Sequence, residues 1–232
     1  MDLNGSRILV AGATGALGER FARALSGRGA KLALAGRDRE LLGRIGGELG
    51  APAILLDFTE PGSAREAVEA ARSELGGLDG VVIASGAVAF GRSGELDPEI
   101  ESRLFTVNAT GPAAMISAAL EDLSPDGAVV AITAVVAEFP TAGMAAYSAS
   151  KAALASYLTA LRRERRKELA AVLEISPGHM ETGFADHALA GSPPPLPEGE
   201  DPDQLVETSI DALEQNRREV RYDPKSKQLN VK

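Results

Sequence analysis

Tyr147 and Lys151 are the two residues whose types and spacing best fit acid–base chemistry. They lie four residues apart at the start of a predicted helix, in the run Tyr-Ser-Ala-Ser-Lys. Residues four apart share one face of a helix, and a cation beside a phenol lowers the phenol pKa from about 10. Such a phenol can exchange a proton with a substrate oxygen near neutral pH. The alternative is an ordinary amphipathic helix with a surface tyrosine and lysine.

A glycine-rich turn near the start of the chain predicts a dinucleotide site. Residues 7–11 are an apolar run typical of a buried strand, residues 12–18 read Gly-Ala-Thr-Gly-Ala-Leu-Gly, and residues 19–25 have a helical pattern. Glycines let the backbone approach a pyrophosphate, and the free N–H groups of the helix end bind its charge. Glycine is common in this chain, so the position between strand and helix carries the prediction rather than the spacing alone. The predicted cofactor-binding residues of the turn are Gly12, Thr14, Gly15, Leu17 and Gly18.

The residues after the second predicted strand favour NADP over NAD. An acidic residue there would bind the ribose 2′-hydroxyl of NAD, but the sequence has Gly36 followed by Arg37. A guanidinium suits a 2′-phosphate because it is planar and makes charge-assisted hydrogen bonds. Arg37 is therefore the predicted NADP-selecting residue, and NAD is the less favoured cofactor. The alternative is that Arg37 simply faces solvent.

Strand and helix patterns alternate along the chain without a linker. This predicts one α/β domain over residues 1–232, a Rossmann-like, doubly wound parallel sheet with helices on both faces in three αβα layers. The predicted strands are 7–11, 31–35, 53–57, 79–84, 127–133 and 171–176, with a further edge strand at 219–223. The predicted helices are 16–28, 38–48, 61–75, 98–121, 147–169 and 201–215. Residues 191–200, with four prolines, are predicted to form a loop, and the polar tail from about residue 225 is predicted to fray.

Composition excludes several classes of protein. The chain has 232 residues and no cysteine, so it has neither disulfides nor a thiolate metal site, and its 2 histidines do not make a zinc centre; no metal site is predicted. A net charge of −9 argues against a nucleic-acid partner. No apolar run reaches the roughly 18 residues of a membrane span, and the N-terminus lacks a signal-peptide pattern. We therefore expect a cytoplasmic protein with no membrane partner.

Together these motifs resemble those of the short-chain dehydrogenase/reductase family, in the family's order and over nearly the whole chain. Tyr147 and Lys151 match the family's YxxxK motif, and the glycine turn is similar to its TGxxxGxG motif, with Ala11 and Ala16 as departures. Asn108 matches the family's mid-helix asparagine. The resemblance implies that Tyr147, Lys151 and Asn108 are catalytic, and that Asn108 binds a water that links Lys151 to solvent.

The same resemblance assigns further cofactor-binding positions. Asp57 resembles the family's adenine-contacting aspartate, although an acid at the start of a helix is the plain alternative. Residues 84–86 fall where the family has its NNAG segment, and residues 176–182 resemble the PGxxxT segment that closes over the nicotinamide. The cofactor-binding residues so implied, besides Tyr147 and Lys151, are Asp57, Phe58, Ala84, Ser85, Gly86, Pro177, Gly178 and Thr182.

One departure bears directly on activity. The family's catalytic serine lies 13 residues before the tyrosine, and this sequence has Ala134 there. Thr133 is adjacent, but neighbouring strand residues point to opposite faces unless the strand end bends. Loss of a donor aimed at a developing oxyanion costs about 2.7–4 kcal/mol, or 10²–10³ in rate. Either Thr133, an ordered water or a substrate hydroxyl replaces the serine, or the site is slow.

The sequence therefore supports two functions from different classes. The favoured one is an NADP-dependent oxidoreductase that transfers hydride between NADP(H) and a carbonyl or alcohol substrate, weakened by Ala134. The alternative is an NADP-binding sensor or scaffold that has lost efficient catalysis. As in the family, a homodimer or homotetramer is expected, with helices 98–121 and 147–169 at the interface. The sequence identifies neither the substrate nor the direction of the reaction.

Overall fold

A single eight-stranded sheet forms the centre of the molecule in the computed structural model, which describes all 232 residues. The strand order is β3-β2-β1-β4-β5-β6-β7-β8, and every neighbouring pair is parallel except the antiparallel pair β7–β8. The order reverses direction between β1 and β4, which is where doubly wound sheets bind their ligands. The predicted fold class is confirmed.

The helices and strands lie close to the predicted ranges. The strands are β1 Arg7–Ala11, β2 Lys31–Gly36, β3 Ala53–Leu55, β4 Leu78–Ile83, β5 Leu123–Ile132, β6 Leu169–Ser176, β7 Glu219–Asp223 and β8 Gln228–Val231. The helices are α1 Ala16–Gly27, α2 Arg39–Leu49, α3 Ser63–Leu75, α4 Pro98–Phe105, α5 Gly111–Leu120, α6 Ala145–Glu164 and α7 Pro202–Glu214. Short 3₁₀ turns cover Val135–Ala137 and Phe184–His187.

The two faces of the sheet bury separate apolar clusters, because successive strand residues point to opposite sides. On one face Val10, Leu34 and Val130 pack with residues of α1, α2 and α7. On the other face Leu9 and Val129 pack with α3, α5 and α6. Burial on both faces explains why the central strands read as continuous apolar runs rather than alternating ones.

The predicted helix 98–121 is interrupted in the middle. Helix α4 ends at Phe105, residues Thr106–Thr110 form a π-helical segment, and α5 begins at Gly111. Single π-helical turns inside longer helices are frequent at functional sites. Asn108 lies in this segment and is fully buried.

Two predicted boundaries were wrong. Helix α6 ends at Glu164 rather than at 169, because residues 165–168 form the turn that leads into β6. The tail does not fray: Gln228–Val231 pair with β7, and Leu229 packs against the core. The turn between β7 and β8 is fixed by Asp223, whose carboxylate accepts hydrogen bonds from the Lys225 N–H and the Ser226 hydroxyl.

No helix is both long enough and apolar enough to cross a membrane.

Candidate active site

The predicted site residues gather at the carboxyl ends of four adjacent strands. The glycine turn follows β1, residues 84–86 follow β4, Thr133 and Ala134 follow β5, and Pro177 follows β6. Parallel strands bring these ends to one edge of the sheet, and ligands of doubly wound sheets bind there. Tyr147 and Lys151 reach the same edge from the first two turns of α6.

The glycine turn has the packing that a pyrophosphate site requires. Gly12 has φ +81°, and a Cβ there would lie 2.6 Å from the backbone nitrogen of Ser85. A Cβ on Gly18 would overlap the Gly12 carbonyl, so the helix packs directly on the turn. Gly15 precedes α1, and no side chain caps the helix N-terminus. The first-turn N–H groups of α1 therefore lack a protein side-chain acceptor and fit the phosphates of a dinucleotide.

Arg37 and Asp57 lie beyond the ends of β2 and β3. Arg37 is exposed. Burial opposes ionisation of Asp57, but hydrogen bonds from the Thr59 N–H and hydroxyl, with the charges of Arg37 and Arg103, hold the Asp57 pKa below its usual range. Arg37 thus lies close enough to influence Asp57, the residue predicted to contact the adenine. A residue that binds the 2′-phosphate of NADP would have to lie in the same region.

Phe58 is placed by a close contact with α5. A Cβ on Gly111, the first residue of α5, would lie 2.6 Å from the Phe58 Cβ, so the loop after β3 packs directly on that helix.

The predicted catalytic pair is more deeply buried than side chains on the exposed face of a helix would be. Tyr147 is 7% exposed and Lys151 is 3% exposed. The Lys151 Nζ donates to the Ile132 carbonyl oxygen at 3.0 Å. Burial raises the Tyr147 pKa and lowers the Lys151 pKa to about 8. Desolvation by burial causes both shifts. A lowering of the Tyr147 pKa by Lys151 stays a prediction.

Asn108 holds the chain after β4 against α6. Its Oδ1 accepts from the Ala87 N–H at 2.9 Å, and its Nδ2 donates to the Ala87 carbonyl at 2.8 Å and to the Ser150 Oγ at 2.9 Å. A Cβ on Gly86 would lie 3.4 Å from the Lys151 Nζ and 3.6 Å from the Asn108 Oδ1. The three predicted catalytic residues therefore share one small region, and Asn108 shapes it; the water link to Lys151 stays a prediction.

The two residues directly after β5 offer no free hydroxyl in place of the missing serine. Ala134 lies in a small apolar cluster with Tyr147, Phe90 and Met144. The Thr133 Oγ1 points elsewhere and donates to the Glu174 Oε1 at 3.0 Å. The strand end does not turn Thr133 toward Tyr147, so the conjecture that Thr133 supplies the donor is wrong.

The segment after β6 is tied to its neighbours on both sides. The Pro177 carbonyl accepts from the Val135 N–H at 2.8 Å, and the Thr182 N–H donates to the Met180 carbonyl at 2.9 Å. The Gly178 N–H donates to the Glu200 Oε1 at 3.1 Å. Sequence reasoning missed Glu200, because no motif contains it and the contact joins residues 22 positions apart.

Phe184 lies at the mouth of this region. Its Cζ would lie 3.5 Å from a Cβ on Gly86, and the side chain is 40% exposed. The Phe184 ring therefore extends toward Lys151 from the segment after β6.

The comparison with known families decides the classification. The family model described as short chain dehydrogenase matches residues 6–191. The chain belongs to the short-chain dehydrogenase family.

Individual relatives support this membership. The chain is similar to a dehydrogenase/reductase SDR family protein 7-like of Anopheles gambiae, 31% identical over 202 residues; the match covers 82% of this chain and 64% of that protein. This short-chain dehydrogenase thus spans less than two thirds of that relative. It is also similar to an uncharacterized oxidoreductase of Staphylococcus saprophyticus, 27% identical over 223 residues, with 93% and 94% of the two chains covered.

Solved structures share the fold. A short-chain dehydrogenase/reductase from Burkholderia phymatum in complex with NAD superposes with a TM-score of 0.85 at 21% identity, covering 94% of this chain and 89% of that one. An alcohol dehydrogenase from the archaeon Thermococcus sibiricus complexed with 5-hydroxy-NADP has a TM-score of 0.81 at 24% identity, covering 94% and 96%. At these identities the likeness concerns the fold alone.

Proposed function

We propose that this chain is an NADP-dependent oxidoreductase that interconverts a carbonyl compound and the corresponding alcohol. The observation that carries the proposal is the placement of Lys151 and Asn108 beside Gly86, with Tyr147 four residues before Lys151 on α6 and in the cluster that Ala87 packs against, near the uncapped N-terminus of α1. When bound, NADPH supplies the hydride that reduces the carbonyl carbon. The residues of the chain bind that cofactor, orient the substrate and supply the proton.

Tyr147 is the proposed proton donor to the substrate oxygen. Burial keeps its hydroxyl protonated, which suits an acid in the direction of reduction. Lys151 lies one helical turn later, with its Nζ close to Gly86 and bound to the Ile132 carbonyl. We propose that Lys151 holds the nicotinamide ribose and stabilises negative charge on Tyr147 when proton transfer occurs.

The proposed cofactor ligands follow the sequence predictions. The glycine turn and the first turn of α1 hold the pyrophosphate, Arg37 holds the 2′-phosphate, and Asp57 with Phe58 flanks the adenine. Residues 84–86 and 177–182 flank the nicotinamide. NADP rather than NAD is proposed because Arg37 stands where an acid would otherwise bind the 2′-hydroxyl.

Ala134 supports a slow reductase or, as the second candidate, an NADP-binding sensor or scaffold. It offers no hydroxyl to the substrate oxygen, and the Thr133 hydroxyl is bound to Glu174. The buried Tyr147, Lys151 and Asn108 favour the enzyme, because a binding protein has no need of that set. Cytoplasmic location and assembly as a homodimer or homotetramer accompany the proposal.

A screen of NADPH oxidation over carbonyl compounds, with Tyr147→Phe as the control, separates the two candidates. Tyr147→Phe should lose at least about 10²-fold in rate while still binding NADPH, the usual scale for loss of a general acid. Tyr157→Phe is a matched control, since Tyr157 lies on the same helix α6 ten residues after Tyr147. Equal rates in the wild type and Tyr147→Phe would remove the catalytic assignment. Tight NADPH binding with no turnover of any carbonyl compound would favour the sensor.

A further inference from the structure

Glu200 fastens the segment that begins with Pro177 and Gly178. The side-chain Oε1 accepts from the Gly178 N–H at 3.1 Å, and the backbone N–H of Glu200 donates to the His179 carbonyl at 2.8 Å. Met180 and Glu200 also form an isolated parallel bridge. Side chain and backbone of one residue therefore hold three consecutive residues after β6.

These contacts close residues 181–199 into a loop whose two ends meet at Met180 and Glu200. Within the loop, the Leu189 N–H donates to the Val88 carbonyl at 2.8 Å, and the Ala190 carbonyl accepts from the Phe90 N–H at 2.9 Å. The loop is thus attached both at its base and to the chain that follows β4. It carries Phe184, whose ring extends toward Gly86 and Lys151.

The packing at Gly178 is shaped to Glu200. A Cβ on Gly178 would overlap the Glu200 Oε1 and would lie 2.8 Å from the Tyr222 Cδ1. The absence of a side chain at position 178 therefore leaves room for the carboxylate and the ring in this arrangement. This fit comes from the protein itself and is independent of any ligand.

The carboxylate of Glu200 has no cation beside it. Its Oε2 is buried without a hydrogen-bond partner, and burial raises the Glu200 pKa although the Gly178 N–H opposes that shift. A buried acceptor with no donor costs stability. A buried side chain that lowers stability in this way is expected where it positions residues of a functional site.

We propose that Glu200 is a positioning residue for the nicotinamide end of the cofactor. By binding the Gly178 N–H and joining Met180, it fixes the backbone of residues 177–180 and closes the loop that carries Phe184. The acceptor oxygen of Glu200, rather than its charge, does this. The inference rests on the proposed function, because it assumes that residues 177–182 flank the nicotinamide.

Three variants test the contact, with an exposed glutamate of the same loop as the control. Glu200→Ala removes the acceptor, Glu200→Asp keeps the charge but is too short by one methylene, and Glu200→Gln keeps an acceptor without the charge. Glu198→Ala is the control, since Glu198 is exposed two residues earlier. Glu200→Asp also serves if Glu200→Ala does not fold.

The first measurement is amide hydrogen exchange at Gly178 in the protein without cofactor. Exchange should be about 3- to 10-fold faster in Glu200→Ala and Glu200→Asp, the scale of one hydrogen bond, and close to wild type in Glu200→Gln and Glu198→Ala. Unchanged exchange in Glu200→Ala would overturn the contact itself.

The second measurement compares the dissociation constants of NADPH and adenosine 2′,5′-bisphosphate. Glu200→Ala and Glu200→Asp should weaken NADPH binding about 3- to 10-fold and leave the bisphosphate unchanged, because only NADPH has a nicotinamide. Glu200→Gln should bind both ligands as the wild type does. Equal weakening for both ligands, or a Glu200→Gln variant as impaired as Glu200→Ala, would overturn the inference. A wild-type protein that binds no NADPH would instead refute the proposed function and leave the exchange experiment valid.

Discussion

Ala134 and Thr133 differ in what they offer the candidate site: Ala134 has no hydroxyl, and the Thr133 hydroxyl is bound to Glu174. Ala134 lies in the apolar cluster that contains Tyr147, so the wall beside the proposed proton donor carries no hydrogen-bond donor of its own. Thr133 is only 2% exposed and its hydroxyl binds the buried carboxylate of Glu174, whose pKa burial raises despite bonds from Thr133 and Arg162. The Thr133 hydroxyl thus stabilises the buried Glu174 carboxylate, and a hydroxyl at position 134 would be the one to reach the substrate oxygen.

Ala134→Ser should therefore raise carbonyl reduction, and Thr133→Val should lower stability. The new hydroxyl supplies a donor for the substrate oxygen, and the gain in kcat should be some part of the 10²–10³ attached to an oxyanion donor. Thr133→Val leaves the Glu174 Oε1 short of a partner and should cost about 1–3 kcal/mol in the free energy of unfolding. Steady-state NADPH oxidation and urea denaturation measure the two effects. A large loss of kcat in Thr133→Val at unchanged stability would contradict this assignment.

Arg37 should decide between NADPH and NADH. Arg37→Ala removes the guanidinium proposed to bind the 2′-phosphate, so NADPH binding should weaken about 10- to 150-fold, as expected for a hydrogen bond to a charged group. NADH binding should hardly change, because NADH has no 2′-phosphate. Arg39→Ala is the matched control, since Arg39 is also exposed and lies two residues further on. Calorimetric titrations that found equal losses for both cofactors would argue that Arg37 only faces solvent.

At the scale of elements, the π-helical segment Thr106–Thr110 brings a buried amide into the site. Asn108 bonds both the N–H and the carbonyl of Ala87, as a neighbouring strand would, and its third bond reaches Ser150 on α6. One side chain therefore joins the chain after β4, the interrupted helix and α6. Lys151 is the residue after Ser150, and its own hydrogen bond goes to the Ile132 carbonyl.

Asn108→Ala should loosen this junction. Three hydrogen bonds are lost and the Ala87 backbone loses its partners, so the free energy of unfolding should fall by about 1–3 kcal/mol or more. The rate of carbonyl reduction should fall further than NADPH affinity does, because Lys151 and Gly86 lie beside the amide. Urea denaturation measures the loss of stability. The fold-change in kcat is compared with the fold-change in the NADPH dissociation constant. Asn230→Ala on the exposed edge strand β8 should change neither. An Asn108→Ala protein with normal stability would show that the amide is dispensable.

The sequence predicted the elements whose signal is local and missed those that depend on distant contacts. Apolar runs such as Val81–Ile83 and Val129–Ile132 are buried on both faces, and a continuous run of apolar residues is a local pattern that predicts such a strand. Strand β8 is short and mostly exposed, and it is ordered by pairing with β7, which no local pattern encodes. The bond between Glu200 and Gly178 and the direction of the Thr133 hydroxyl likewise depend on the folded arrangement. The pKa of Tyr147 could not be predicted from the Lys151 spacing alone, because burial also shifts it.

At the scale of the whole molecule, the candidate site lowers the free energy of unfolding because it buries a cation without a carboxylate partner. Lys151 is buried with the Ile132 carbonyl as its one hydrogen-bond partner, and no carboxylate forms an ion pair with it. Ion pairs elsewhere in the molecule connect its helices and strands. Arg28 at the end of α1 forms ion pairs with three acids of α7, and Arg7 on β1 binds Asp79 through two nitrogens and so holds the Asp79 pKa far below its usual range. Surface pairs of this kind contribute little each, but they join elements that are far apart in sequence.

The cost of burying Lys151 should be visible as a pH dependence of stability. The Lys151 pKa falls from 10.5 in the unfolded chain to about 8 in the folded one, so between these values the unfolded state holds a proton that the folded state has released. Stability must then rise with pH from about 8 to 10, by up to about 3 kcal/mol for a shift of this size. Above pH 10 the trend should reverse, because the raised pKa of Tyr147 lets only the unfolded chain lose that proton.

Lys151→Met should remove this rise. The variant has no ammonium to desolvate, so its free energy of unfolding should be nearly flat between pH 8 and 10, and at pH 7 the desolvation cost should be absent. Lys167→Met is the matched control, because Lys167 is exposed and its substitution should leave the rise intact. Urea denaturation at half-unit pH intervals measures the slope in all three proteins. A wild type as flat as Lys151→Met would mean that Lys151 keeps an ordinary pKa in the folded protein, and the ammonium would then have to be hydrated rather than buried beside Tyr147.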